Sequence, residues 1–77
     1  MPKEKYIVHQ TDTGFKVDYY KRGKYKRSID FYDVQYVEVI LKHFKKEVPK
    51  GEIIFSYSGM RNEAMVGLQR KVMEYEP

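Results

Sequence analysis

Cysteine and tryptophan are both absent from this chain, and proline occurs only three times. Without cysteine there is no disulfide framework, no thiolate zinc site, no iron–sulfur cluster and no cysteine nucleophile. At 77 residues the missing staples matter, because one hydrophobic core of this size is only marginally sufficient. No apolar run approaches the roughly 20 residues of a membrane helix, and Met1–Lys5 does not read as a signal peptide. The expectation is a single small domain over residues 1–77, in the cytoplasm, without a membrane span.

Enough apolar material is present to fold: 42% of residues are hydrophobic, close to a globular norm. The formal charge is +4 and the isoelectric point about 9.3, a modest excess that says little until its distribution is considered. Six basic residues (Lys16, Lys21, Arg22, Lys24, Lys26, Arg27) stand against one acid, Asp18, between positions 16 and 27. A second cluster comprises Lys42, Lys45, Lys46 and Lys50, whereas the C-terminal stretch is nearly balanced. Three of the eight tyrosines (Tyr19, Tyr20, Tyr25) fall inside the first basic window. Basic residues interleaved with tyrosine suit a phosphate-bearing partner. The plain alternative is a solvated hairpin kept soluble by its lysines.

The alternation of side chains predicts strands over Tyr6–Thr11, Phe15–Tyr20 and Lys24–Phe31, joined by turns ending in Gly14 and Gly23. A three-residue loop Lys21-Arg22-Gly23 would pair Tyr19 with Tyr25, Phe15 with Ile29 and Asp18 with Lys26. It keeps apolar residues together better than a two-residue Arg22-Gly23 turn. A similar Asp12-Thr13-Gly14 loop would place Thr11 opposite Phe15, His9 opposite Val17 and Ile7 opposite Tyr19. The buried face would then hold Ile7, Phe15, Val17, Tyr19, Tyr25, Ile29 and Phe31. The solvated face would carry Tyr6, Val8, Gln10, Lys16, Asp18, Tyr20, Lys24, Lys26, Ser28 and Asp30.

Asp33 suits the N-cap of a helix from Val34 to about Lys46, with Tyr32 stapled to Val37 and Glu38 paired with Lys42. Its apolar stripe (Val34, Val37, Ile40, Leu41, Phe44, Val48) would cover the sheet. Pro49 ends the helix, and Glu52–Ser58 reads as a fourth strand with Ile53, Phe55 and Tyr57 inward. A final helix from about Asn62 to Tyr75 would bury Ala64, Leu68, Val72 and Tyr75, with Met60, Met65 and Met73 as core filler. The order is βββαβα, an α+β domain: a three-stranded antiparallel sheet packed on a helix, then a further strand and helix.

Catalytic signatures are sparse. Asp12-Thr13-Gly14 spells the aspartic-protease triplet, but those enzymes need two such carboxylates sharing a proton, and Asp, Thr and Gly fit a hairpin turn on local grounds alone. His9 and His43 are the only histidines and lie at no metal-binding spacing. The expectation is a protein that is not an enzyme and needs neither cofactor nor metal. Strands can enter a major groove as a sheet or ribbon, with lysine and arginine on phosphates and tyrosine adding hydrogen bonds or stacking.

The run Gly14-Phe15-Lys16-Val17-Asp18-Tyr19-Tyr20, then Arg22-Gly23-Lys24-Tyr25-Lys26-Arg27, then Phe31 leading into a capped helix, resembles the amino-terminal arm-binding domain of phage and transposon integrases. The resemblance covers about Tyr6 to Phe44. It implies a three-stranded sheet lying in the DNA major groove with a helix behind it. Lys16, Tyr20, Lys24 and Lys26 would face DNA, and Lys21 and Arg22 would hold the backbone, with Arg27 in the same basic run. The chain departs from that pattern at bulky Tyr36-Val37, in its extra strand and helix, and in having no recombinase catalytic domain. It would therefore act as an accessory factor of a mobile element, not as a recombinase.

The leading expectation is nucleic-acid binding, duplex DNA favoured, through the basic tyrosine-bearing face of the sheet. A protein-interaction module, an inhibitor or adaptor using the tyrosines or open sheet edges, is the rival. Single-strand binding by tyrosine stacking is a third reading. The sequence leaves monomer and homodimer both open.

Overall fold

The computed structural model of the protein describes residues 4–57 and 63–76. Its elements follow the order β1 (Glu4–Gln10), β2 (Phe15–Lys21), β3 (Lys24–Phe31), α1 (Val34–Glu47), β4 (Glu52–Ser56) and α2 (Glu63–Glu74). This is the α+β arrangement with βββαβα order. The fourth strand joins the same sheet, in the spatial order β3-β2-β1-β4, and runs parallel to β1 while the hairpin strands are antiparallel. The expected strand end at Ser58, the helix start at Asn62 and Met60 lie outside the described residues.

Both helices contribute to one core on a single face of the sheet. Val8, Phe15 and Val17 from the strands pack with Val37 and Leu41 of α1 and Met65, Leu68 and Val72 of α2. Ile53, Phe55 and Tyr57 line its β4 side as half-buried residues. The 3.6-residue spacing of Val37, Leu41 and Phe44 makes α1 amphipathic. Asp33 starts it by accepting from the Gln35 amide at 2.9 Å, and Val48 ends it by donating to the Phe44 carbonyl at 2.8 Å. The Glu38–Lys42 pair closes at 2.9 Å, and Lys71 of α2 adds a second cation at 3.6 Å. The hydrogen bond from Lys42, the larger effect, and Lys71 together hold the Glu38 carboxyl below the usual carboxylate range.

Several local expectations are corrected, among them Met73, expected as core filler but 63% exposed. The first hairpin does not use a three-residue loop: Thr11 and Gly14 close it with paired main-chain bonds of 2.8 and 3.4 Å. Gln10 therefore stands opposite Phe15 and Val8 opposite Val17, and one residue of slip inverts the whole of β1. Tyr6 and Val8 face the helices, while Ile7 and His9 lie on the opposite face. Tyr6 stacks on Phe44 with ring centroids 4.0 Å apart.

The second hairpin has a two-residue turn, with Arg22 at φ 54° and Gly23 at φ 79°. Two consecutive positive φ values are the signature of the tight turn whose twist suits a hairpin. The extra residue that the apolar pattern demands is not in the loop but in β3, where Lys26 bulges between the Tyr19–Arg27 and Tyr20–Tyr25 pairs. Phe15 thus pairs with Phe31, Val17 with Ile29 and Asp18 with Ser28, not Lys26. Tyr25 moves to the solvated face. Tyr32 is 81% exposed and staples nothing, and in α2 Met65 takes the buried position expected of Ala64.

Gly14 is fixed by close approach, since a Cβ there would run into the carbonyl oxygen of Phe31 and come within 2.9 Å of the Tyr32 Cα. Gly67, inside α2, has nothing within 4 Å of where its Cβ would be. The two substitutions by alanine should therefore move stability in opposite directions. Gly14→Ala should lose about 3 kcal/mol, because backbone has to shift. Gly67→Ala should gain about 0.5–1 kcal/mol through helix propensity. Urea midpoints of the two variants check the pair; equal shifts would contradict the packing at Gly14.

Candidate nucleic-acid interface

With both helices on one side, the other face of the sheet is open to solvent. Rows run across it from β4 to β3: Glu52, Lys5, Tyr20, Tyr25; then Ile54, Ile7, Asp18, Ser28; then Ser56, His9, Lys16, Asp30. The centre is a polar chain linking three strands. His9 Nε2 donates to Asp18 Oδ2 at 2.9 Å, and the Ser28 hydroxyl donates to Asp18 Oδ1. Ser28 has one proton and gives it to the carboxylate. The Tyr25 hydroxyl must then be the donor in its 2.7 Å contact with Ser28 Oγ. The Asp18 charge is engaged by its neighbours in β1 and β3.

Next to this chain, Tyr20 meets Tyr25 edge-on at 5.7 Å, and Lys5 Nζ lies 5.2 Å from the Tyr20 ring centroid. The face as a whole is not basic, because Lys5 and Lys16 are offset by Asp18, Asp30 and Glu52. The positive charge collects at one end instead. Lys21 and Lys24 face each other across the Arg22-Gly23 turn, and Lys26 bulges two residues further along β3. All of Lys21, Arg22, Lys24, Tyr25, Lys26 and Arg27 are exposed.

Of the seven residues expected to bind nucleic acid, Lys21, Arg22, Lys24, Lys26 and Tyr20 are thus brought together at the β2–β3 tip. Lys16 is at the other end of β2, opposite Asp30 and beside His9. Arg27 registers with Tyr19, on the helix-bearing side. There its charge acts on Tyr6 and Tyr19, lowering their pKa values, but burial outweighs it and holds both phenols above the ordinary tyrosine value. For Tyr19 the Glu4 carboxylate adds to the rise. Both remain neutral hydroxyls at physiological pH.

Sequence reasoning missed Lys5 and Tyr25 as members of the open face and His9 as a partner of Asp18. The inverted β1 and the bulge in β3 placed them there. Asp12 is exposed in the first turn, and His43 is exposed on α1. Among the described residues no three histidine or carboxylate side chains gather where they could hold a metal ion. No described helix is long and apolar enough to cross a membrane.

Asp18 organises this face, so Asp18→Ala should cost about 1–2 kcal/mol by leaving His9 and Ser28 without their acceptor. Lys26→Ala should change stability by no more than about 0.5 kcal/mol. Denaturant titration separates the two, and equal effects would favour an Asp18–Lys26 pairing over the Asp18–Ser28 one. Compared with protein-family models, with curated proteins and with solved structures, the chain matches none of them.

Proposed function

We propose that the protein binds nucleic acid, duplex DNA in the first place, through the β2–β3 ribbon, and carries out no chemistry of its own. The observation that carries this reading is the concentration of Lys21, Arg22, Lys24 and Lys26 at a ribbon tip flanked by the Tyr20–Tyr25 pair. The tip of a two-stranded ribbon fits the edge of a major groove, and its lysines reach the phosphates that line it. Tyr20 and Tyr25 offer rings and hydroxyls to whatever lies beyond the phosphates. The resemblance to integrase arm-binding domains supports the same use of this hairpin. A role as an accessory factor of a mobile element is part of the proposal, as is action in the cytoplasm.

This reading differs from the face-on placement in one respect: charge balance on the open sheet favours approach by the ribbon end. A second reading has its own support. Tyr32, Tyr36 and Val39 are 81%, 66% and 63% exposed, an apolar strip on the outward side of α1 that suits a protein partner. Pull-down with and without nuclease separates the two, since a partner kept after nuclease by a protein without DNA affinity supports the strip.

Binding to a labelled random-sequence duplex should be micromolar at low salt and weaken steeply as salt rises. Lys24→Glu combined with Lys26→Glu should lower affinity at least about tenfold and reduce the slope of log affinity against log salt by about 2. Wild-type affinity in that double variant would show that the ribbon is not the binding element.

A further inference from the structure

The second basic cluster, Lys42 to Lys50, is far from the hairpin in sequence but not in the fold. Lys21 pairs with Glu4 and Tyr20 with Lys5, and Lys5 in turn pairs with Glu52. The start of β4 therefore stands at the same end of the sheet as the ribbon tip. α1 leaves the opposite end after Phe31 and returns to deliver Lys50-Gly51 there. Its last turn is anchored by Phe44 stacked on Tyr6.

The four lysines of this cluster differ in what they already do. Lys42 is held by Glu38 at 2.9 Å. Lys45 donates to the carbonyls of Val72 and Tyr75 at 2.8 and 2.7 Å, capping the end of α2. Lys46 and Lys50 are exposed, and neither has an ion pair or side-chain hydrogen bond among the described residues.

We infer that Lys46 and Lys50 form a second phosphate-contacting group, which with the ribbon tip straddles a groove of duplex DNA. The inference rests on the nucleic-acid reading above and extends it from one contact element to two. Lys24 on β3 and Lys50 before β4 are separated by three strand spacings, about 14 Å. That span is close to the roughly 12 Å width of a major groove, so the two groups reach phosphates of opposite strands. A flexible single strand presents no pair of phosphate rows at a fixed separation. The second group should therefore matter for duplex far more than for single-stranded DNA. Glu47 and Glu52 flank Lys46 and Lys50, which makes this the weaker of the two contacts.

The competing role for Lys46 is interaction with the carbonyl end of α1, which would show as a loss of stability without a loss of affinity. The test is Lys46→Glu with Lys50→Glu, measured on a duplex and on a single strand of equal length. Arg70→Glu is the reference, because Arg70 lies two positions from buried Leu68 and from buried Val72, on the solvent side of α2. The expected result is a duplex affinity about tenfold lower, a salt slope reduced by about 2, and a single-strand affinity changed less than threefold. A duplex loss no larger than that of Arg70→Glu would overturn the second contact. Equal losses on duplex and single strand would overturn the groove-straddling geometry. If the unmodified protein bound neither duplex nor single strand even at low salt, the nucleic-acid reading itself would fail, and that outcome is distinct from the other two.

Discussion

Val8 sits in the middle of β1 with no exposed surface, and β1 has a neighbour on each side. A strand seated this way has its parity settled, because burying Val8 and Tyr6 turns Ile7 and His9 outward. The open face then inherits its chemistry from that choice. His9 comes within reach of Asp18, Asp18 is drawn to Ser28, and Ser28 orients the Tyr25 hydroxyl. Lys5 is carried over the ring of Tyr20. The opposite parity would leave a hydrophobic valine in water and bury a histidine beside Val17. The Thr11–Gly14 closing pair and the fit of Gly14 against the Phe31 carbonyl are the local features that hold the chosen parity.

The same topology sorts charge along the molecule. The Arg22-Gly23 turn, the start of β4 and the last turns of both helices meet at one end, and that end gathers Lys21, Arg22, Lys24, Lys26, Lys46 and Lys50. The other end has the Thr11–Gly14 turn and the start of α1, with Asp12, Asp30 and Asp33 against Lys16. At the first end these six basic residues outnumber Glu4, Glu47 and Glu52, whereas acids prevail at the other. Such a distribution would orient the molecule in the field of any polyanion it met.

The elements were legible in the sequence because each has a clear period or punctuation. Val37, Leu41 and Phe44 mark α1, Asp33 caps it, and Gly14 and Gly23 mark the turns. Parity in β1 was not legible, because Tyr6-Ile7-Val8-His9 is apolar on nearly every residue and alternation there does not tell one face from the other. Only the turn chemistry decides, and it differed by one residue. In the second hairpin the parity of β3 beyond its bulge was right but the three-residue loop was not, and each expected pair is displaced by two positions. A glycine turn and a strand bulge absorb a residue equally well, and they differ in which tyrosine faces water. The ribbon lysines could be found as sequence neighbours. Their convergence with Lys46 and Lys50 could not, since it depends on β4 lying parallel to β1.

That parallel pairing also bears on how the chain reaches this structure. The two hairpins join residues only a few positions beyond their turns, whereas Lys5 meets Glu52 across nearly the whole of the described N-terminal segment. Closing so large a loop costs more chain entropy than closing a hairpin, and it is repaid only once α1 has been laid down between β3 and β4. Loop entropy therefore favours the meander of β1, β2 and β3 as the early scaffold, with β4 added after it. A nascent or partially unfolded molecule would present the ribbon before the β1–β4 seam closes, with the β1 edge briefly bare to other chains.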